Sequence, residues 1–221
     1  MELLIKSGLS AQAIFYEVKQ MIMRMKLITA MLALMSLAVQ AQLSQTGPVS
    51  LDTGNFPVYY QDADGLTLDL CLPTPGDERD RGLCLLTGDD FPNRTGGTSF
   101  PDNFPEEAFW WNGGSSLDLP NGKQALLVMA LEAAFANGGP VPGEQVAFAR
   151  IRVRINSPDP GHYVVIHPYG TEVFDVAAGQ AKFTLTNDIG VTCGTNFTCA
   201  ANGAIGPFLR PSQDPVLGGG N

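Results

Sequence analysis

The stretch that decides the fold is Phe148-Ala149-Arg150-Ile151-Arg152-Val153-Arg154-Ile155. From Arg150 onward, charged and β-branched residues alternate strictly along this stretch. Successive side chains of a β-strand point to opposite faces, so the pattern predicts a strand with one buried face and one polar face. The buried face requires a second layer of structure to cover it.

Short runs of the same kind surround this strand. Residues 163–166, 171–176 and 182–186 are rich in β-branched and aromatic residues, and residues 66–71 alternate apolar with polar. Gly or Pro bounds these runs, which recur about every ten residues, as strands of a sandwich do. We therefore predict a mainly β fold, an antiparallel β-sandwich of immunoglobulin-like or jelly-roll-like kind, with room for one short helix.

Three segments need separate assignment. Residues 124–136 are apolar at nearly every position, so their periodicity fits a buried strand or a helix, and we favour the strand. Residues 82–86 are predicted to form a short strand. Residues 87–105 contain few apolar side chains and are predicted to be a long connection, a kind of segment that is often functional.

The first 41 residues carry the pattern of a secretory signal peptide. Basic Arg24 and Lys26 precede an apolar run over residues 27–37, and compact side chains lead to Ala41. This order of features is typical of a signal cleaved after Ala41, and the apolar run is too short to anchor a chain in a bilayer. We therefore predict export to the periplasm or the extracellular space.

The signal divides the rest of the chain into regions. Because such a signal normally begins a chain, we expect translation to start between Met21 and Met25. Residues 42–55 are predicted to be a loose segment and residues 56–210 the β-sandwich domain. Residues 211–221 are Gly-rich and are predicted to be a linker or a truncated end.

Charge restricts the partners of the mature chain. The full sequence has a net charge of −9, and removal of residues 1–41 takes away four basic and two acidic side chains, which leaves −11. A chain this acidic repels phosphates, so we expect no nucleic-acid partner. No segment after the signal is long and apolar enough to span a membrane, so we expect no membrane span after cleavage.

Four cysteines lie in the mature part of the chain, Cys71, Cys84, Cys193 and Cys199. An even number of cysteines in an exported protein indicates disulfides. We favour Cys71–Cys84 and Cys193–Cys199 among the three pairings, because each closes a short loop. A zinc site is the weaker alternative, since neither spacing matches the usual zinc knuckle.

Two sets of side chains are candidate ligand-binding residues. Arg150, Arg152 and Arg154 share one strand face and would suit a sulfated, phosphorylated or carboxylated ligand. The alternative is a solvated face whose arginines pair with acidic residues of neighbouring strands. Aromatic rings stack on sugars, and the chain has two aromatic clusters. The residues of these clusters that we consider are Tyr59, Tyr60, Trp110 and Trp111. Because adjacent strand residues face opposite sides, we expect one of the two tryptophans in the core.

Calcium is the second metal ion that the sequence leaves open. Asp62, Asp64 and Asp69 resemble part of a calcium loop, with Gly65 at its turn. The full pattern fails at both ends, where Tyr60 and Cys71 stand in place of acidic ligands. We therefore expect a turn between two strands and no resident cofactor.

Catalysis is weakly supported. The chain has two histidines, His162 and His167, and either could act as a base. No nucleophile elbow or zinc-protease motif accompanies them, and no cysteine is free if both disulfides form. We do not expect an enzyme, and we assign no catalytic residue.

Three stretches carry a resemblance to a known group of proteins. They are Phe56-Pro57-Val58-Tyr59-Tyr60-Gln61-Asp62, Phe100-Pro101-Asp102-Asn103-Phe104-Pro105, and residues 148–170. Through them the chain resembles the N-terminal region of large secreted bacterial proteins of unknown function, which often carry further immunoglobulin-like β modules. The resemblance implies an extracellular or surface setting and a missing downstream portion. It brings no catalytic residues with it.

These observations favour an exported, non-catalytic β module with a structural or adhesive role at the cell surface. Its expected partners are polysaccharides or other surface proteins. Two alternatives stay open. One is a carbohydrate-binding module that uses the aromatic clusters, and the other is a secreted hydrolase with its site in residues 87–105.

Overall fold

A computed structural model describes residues 43–210 of the chain. The predicted signal region and the predicted linker at 211–221 lie outside the described residues. The strands are β1 (Leu43–Thr46), β2 (Val49–Ser50), β3 (Phe56–Pro57), β4 (Tyr59–Asp62), β5 (Thr67–Asp69), β6 (Glu107–Leu119), β7 (Lys123–Phe135), β8 (Gln145–Asn156), β9 (Gly161–His167), β10 (Gly170–Val176) and β11 (Lys182–Ile189). One short helix, α1, spans Asp77–Asp80. Single turns of 3-10 helix occupy Leu51–Thr53, Leu83–Leu85, Gly88–Asp90, Pro120–Gly122 and Val191–Cys193, and a longer one occupies Phe197–Asn202.

The central element is a four-stranded antiparallel sheet in the order β11-β8-β7-β6. β7 pairs with neighbours on both sides, and this position explains its apolar composition, because a central strand is covered more completely than an edge strand. Residues 124–136 are therefore a strand, as favoured from the sequence. The mainly β, antiparallel fold class is confirmed, and α1 is the one α-helix among residues 43–210.

A second layer covers one face of this sheet in two parts. Over one half lie the three-stranded sheet β1-β4-β5, the hairpin β2-β3 and the 3-10 helix at Phe197–Asn202, all packed around one core cluster. Over the other half lies the hairpin β9-β10, which forms a second cluster. Strand β8 contributes to both, since Ala149 and Ile151 lie in the first cluster and Val153 and Ile155 in the second.

Residues 43–55 are ordered, contrary to the prediction of a loose segment. β1 pairs with β4, and Leu43 is buried in the first core cluster. Thr53 donates a hydrogen bond from its hydroxyl to the Phe56 carbonyl at 2.6 Å. The segment is polar because it forms an edge strand and tight turns, and Leu43 alone of its large apolar side chains is buried, whereas Val49 and Leu51 are exposed.

The prediction of a strand at residues 82–86 is wrong. Gly82, Cys84 and Leu85 all have a left-handed backbone with φ between 61° and 65°. A strand needs a negative φ throughout, so the chain turns tightly here instead. The disulfide Cys71–Cys84 fixes this turn beside β6, and Cys193–Cys199 closes the second loop, so both predicted pairings are confirmed.

The inner face of β8 should dominate stability. Ile151 is 2% exposed in the first cluster, so Ile151→Ala should lower the free energy of unfolding by about 2–5 kcal/mol through lost burial and a cavity. Val164 is 55% exposed, and Val164→Ala is the matched control, with an expected change within about 0.5 kcal/mol. Urea unfolding of both variants provides the measurement. Equal losses in the two variants would contradict this description of the core.

Candidate functional site

The candidate site lies where the turn at residues 82–86 meets the first residues of β6. The Cys71 amide donates to the Phe109 carbonyl at 3.0 Å, which holds the disulfide against the strand. Because Cys84 and Leu85 are both left-handed, the turn projects outward, and the Leu85 side chain is 61% exposed. A leucine in this backbone region is uncommon and strained, and such positions cluster at functional sites.

Residues 87–105 form the neighbouring wall, and Arg79 organises them. Arg79 is 1% exposed, and its guanidinium donates to the Arg94 and Gly96 carbonyls at 3.0 and 2.9 Å. It also stacks on the Phe91 ring, 3.5 Å from the ring centroid. The sequence showed only a charged loop around residue 79, whereas the structure uses this cation to satisfy backbone carbonyls that have no strand partner.

Between this wall and β6 lies a surface groove of about 550 Å³. Its apolar lining includes Leu85, Phe91, Phe104 and Phe109. A volume of this size falls within the range of ligand-binding clefts, and apolar lining with a few polar groups is typical of them.

Carboxylates surround the groove. Asp89 forms an ion pair with Arg94, and Asp90 caps the 3-10 turn through the Thr87 amide, so both are partly neutralised or held in place. Glu106 and Glu107 are exposed, and neither carboxylate forms a hydrogen bond or ion pair with another residue in the part of the chain that the structure describes. These two carboxylates are therefore available to a ligand.

A second cavity of about 380 Å³ adjoins the first. Leu85 and Phe109 line both cavities, and the second is otherwise lined by the Cys71–Cys84 disulfide, Leu83 and Trp111, among others. From Glu106 to Asn112, the lining residues of the two cavities follow the chain into β6, a span of about 20 Å for six extended residues. The two cavities together are called the β6 groove below.

The predicted aromatic platform does not form. Tyr60 and Trp110 are 0% and 4% exposed and pack edge to face, so neither offers a ring face to a sugar. A bulge in the β6–β7 register at Trp110 turns both tryptophans toward the core side, which the simple alternation rule could not show. Trp111 packs on Tyr169 and Phe208, and Tyr59 is half-buried.

The three arginines share one face of β8 as predicted, but they differ in their partners. Arg150 binds Asp188 through two bonds of 2.8 Å and contacts both oxygens of buried Glu132 at 2.9 and 3.0 Å. Arg152 donates to the Thr186 hydroxyl at 3.1 Å. Arg154 lies beyond them, half-buried and opposite Thr184. Arg150 is thus neutralised internally and is not available to an anionic ligand.

The Glu132 carboxyl has a raised pKa. Burial raises its pKa to about 7, Arg150 opposes the rise, and the nearby carboxylates of Glu107 and Asp188 add to it. Glu107 also lines the β6 groove, so the groove and the buried network are electrostatically linked.

The calcium candidates do not converge. Asp62 is fully buried, and its carboxylate accepts hydrogen bonds from the amides of Asp64, Leu66 and Phe208 at 2.8–3.0 Å. These bonds leave Asp62 as a structural residue, while Asp64 and Asp69 are exposed. Among residues 43–210, no group of three or more His, Cys, Asp or Glu side chains is placed to hold a metal ion.

The two histidines lie on the β9-β10 hairpin, away from the β6 groove. His162 pairs with Asp175 across the hairpin at 2.9 Å, and both side chains are exposed. The His167 side chain is 1% exposed, and its Nδ1 accepts a hydrogen bond from the Tyr169 amide at 3.2 Å. Residues 87–105, where a hydrolase site was considered, therefore contain neither histidine.

Sequence reasoning missed Leu85, Phe109, Glu106 and Glu107 as a site. The available signal was the length of the 87–105 connection, which pointed to this region without naming its ligand-facing side chains. Comparisons with protein-family models, with curated proteins and with solved structures gave no match. None of the helices described between residues 43 and 210 has the length and apolar character that crossing a membrane requires.

The raised pKa of Glu132 predicts a specific pH dependence. The folded protein holds this proton more tightly than the unfolded chain, so the free energy of unfolding falls as pH rises from about 4.5 to about 7. Glu132→Gln removes this contribution. The stability advantage of the wild type over the variant should therefore shrink by roughly 1–3 kcal/mol between those pH values.

Urea unfolding at several pH values measures this difference. Asp118→Asn, at an exposed carboxylate on the same sheet, is the control and should leave the pH profile unchanged. Parallel pH profiles for the wild type and Glu132→Gln would show that the proton affinity of Glu132 is ordinary.

Proposed function

We propose that the chain is an exported β module that acts at the cell surface or outside the cell by binding another protein, in an adhesive or structural role. The observation that carries this proposal is the β6 groove, an open apolar surface with two unpaired carboxylates beside it. An apolar side chain of a partner could occupy this groove while a Lys or Arg pairs with the carboxylates beside it.

Three further observations support this function. Both disulfides form, and disulfides persist in oxidising compartments outside the cytosol. Three side chains that could take part in catalysis or ligand binding already have internal partners. Asp62 and His167 Nδ1 accept hydrogen bonds from backbone amides, and Arg150 pairs with Glu132. The carbohydrate alternative loses Tyr60 and Trp110 to the core, which leaves the groove as the better binding surface.

Export can be measured directly. The full chain, expressed in a bacterium with a secretory pathway, should be released from the cytoplasm with Gln42 as its first residue. Alkylation without reduction should label no cysteine, because all four are in disulfides. Retention in the cytoplasm with residues 1–41 attached would contradict the proposed setting.

Binding can be tested with the secreted protein on intact cells and envelope fragments of the organism that produces it. We expect saturable binding that protease treatment of the surface abolishes and periodate oxidation of its glycans leaves intact. The variant Leu85→Asn should bind at least about tenfold more weakly, since it removes the most exposed leucine of the groove. Binding that survives protease but not periodate would favour the carbohydrate-binding alternative.

A further inference from the structure

We infer that the occupant of the β6 groove is an extended, cationic segment of the partner protein, with an apolar side chain two residues away from a Lys or Arg. This inference rests on the proposed function and adds the chemistry of the ligand. It follows from the order in which apolar and acidic groups line the groove.

The apolar part of the ligand is defined by the second cavity. Leu83, Leu85, Trp111 and the Cys71–Cys84 disulfide present hydrophobic surface there, without a carboxylate among the lining residues. An apolar side chain of the partner would remove this surface from water, at roughly 25 cal/mol per Å² of area covered.

The cationic part is defined by the first cavity. Glu106 and Glu107 stand beside its apolar lining, and their exposed carboxylates form no ion pair within residues 43–210. Each would form a charge-assisted hydrogen bond with a Lys or Arg, which is stronger than a neutral one. The partly apolar surroundings reduce screening by water and so strengthen this attraction.

The extended form of the ligand follows from the shape of the site. The two cavities lie in series along the first residues of β6, over about 20 Å, and are separated only by Leu85 and Phe109. An extended chain places alternate side chains about 7 Å apart on one face, so neighbouring same-face positions can reach the two cavities.

Net charge decides against a second copy of the chain as the occupant. The mature protein carries −11, and the groove is itself acidic, so two copies would repel each other at this surface. A basic partner would instead be attracted over a distance, and its binding would weaken as salt increases.

Leu85 permits a test that separates binding from folding. Its φ of 63° is unfavourable for leucine, whereas asparagine adopts the left-handed region readily. Leu85→Asn should therefore keep or raise the melting temperature while it removes apolar contact area from both cavities. A loss of binding in this variant cannot then be attributed to unfolding.

The experiment titrates the secreted protein with three synthetic eight-residue peptides by isothermal calorimetry. The first repeats leucine, serine, arginine, serine twice, so that leucine and arginine share one face when the chain is extended. The second replaces leucine by serine, and the third replaces arginine by glutamate. We expect measurable binding of the first peptide only. Leu85→Asn and the double variant Glu106→Gln/Glu107→Gln should each weaken it at least about tenfold, and the double variant should also reduce its salt dependence.

Asp118→Asn is the matched control, because Asp118 is an exposed carboxylate on β6 about 30 Å from Phe109. It should leave the affinity unchanged. Equal affinity for the leucine and serine peptides, or equal weakening by Asp118→Asn, would show unspecific charge attraction and would overturn the inference. Failure of all three peptides while Leu85→Asn still abolishes surface binding would overturn the ligand chemistry and leave the proposed function standing.

Discussion

The buried face of β8 is the constraint on which the rest of the structure depends. One strand supplies side chains to both core clusters, so the N-terminal sheet and the β9-β10 hairpin are positioned against the same element. Its polar face is handled differently along its length: Arg150 is closed into a network with Glu132 and Asp188, whereas Arg152 meets a hydroxyl. Burial of the Arg150 charge is tolerated because the two carboxylates pair with it.

Two buried charged side chains hold irregular segments in place through hydrogen bonds to backbone groups. Arg79 binds carbonyls of the 87–105 connection, and Asp62 binds three amides. Both side chains are buried and form no ion pair within residues 43–210, and both compensate for backbone groups that no strand pairs with. Arg79 thereby holds the wall of the β6 groove in place. A preformed wall lowers the entropic cost of binding, because little of it has to be ordered by the ligand.

The sequence predicted what depends on local pattern. Alternation along residues 148–155 correctly indicated β8, and cysteine spacing indicated both disulfides, because these are properties of neighbouring residues. It failed where distant parts of the chain decide the outcome. The bulge at Trp110 reverses the expected facing of a tryptophan, and the left-handed turn at Leu85 replaces a strand. The groove could not be derived from the sequence, because its two sides are brought together only by the disulfide and by Arg79.

The hydrogen bonds of β4 have a consequence for the order in which the chain can fold. Tyr60 donates to the Phe197 carbonyl, 137 residues further on, and Asp62 accepts from the Phe208 amide, 146 residues further on. The first core cluster is therefore incomplete until the last residues of the domain are present. Contacts so distant in sequence make folding slow, since the chain must close a long loop before it gains their energy. The first core cluster can therefore close only after residues 197–208 have been synthesised, which places its completion late in translation or after it.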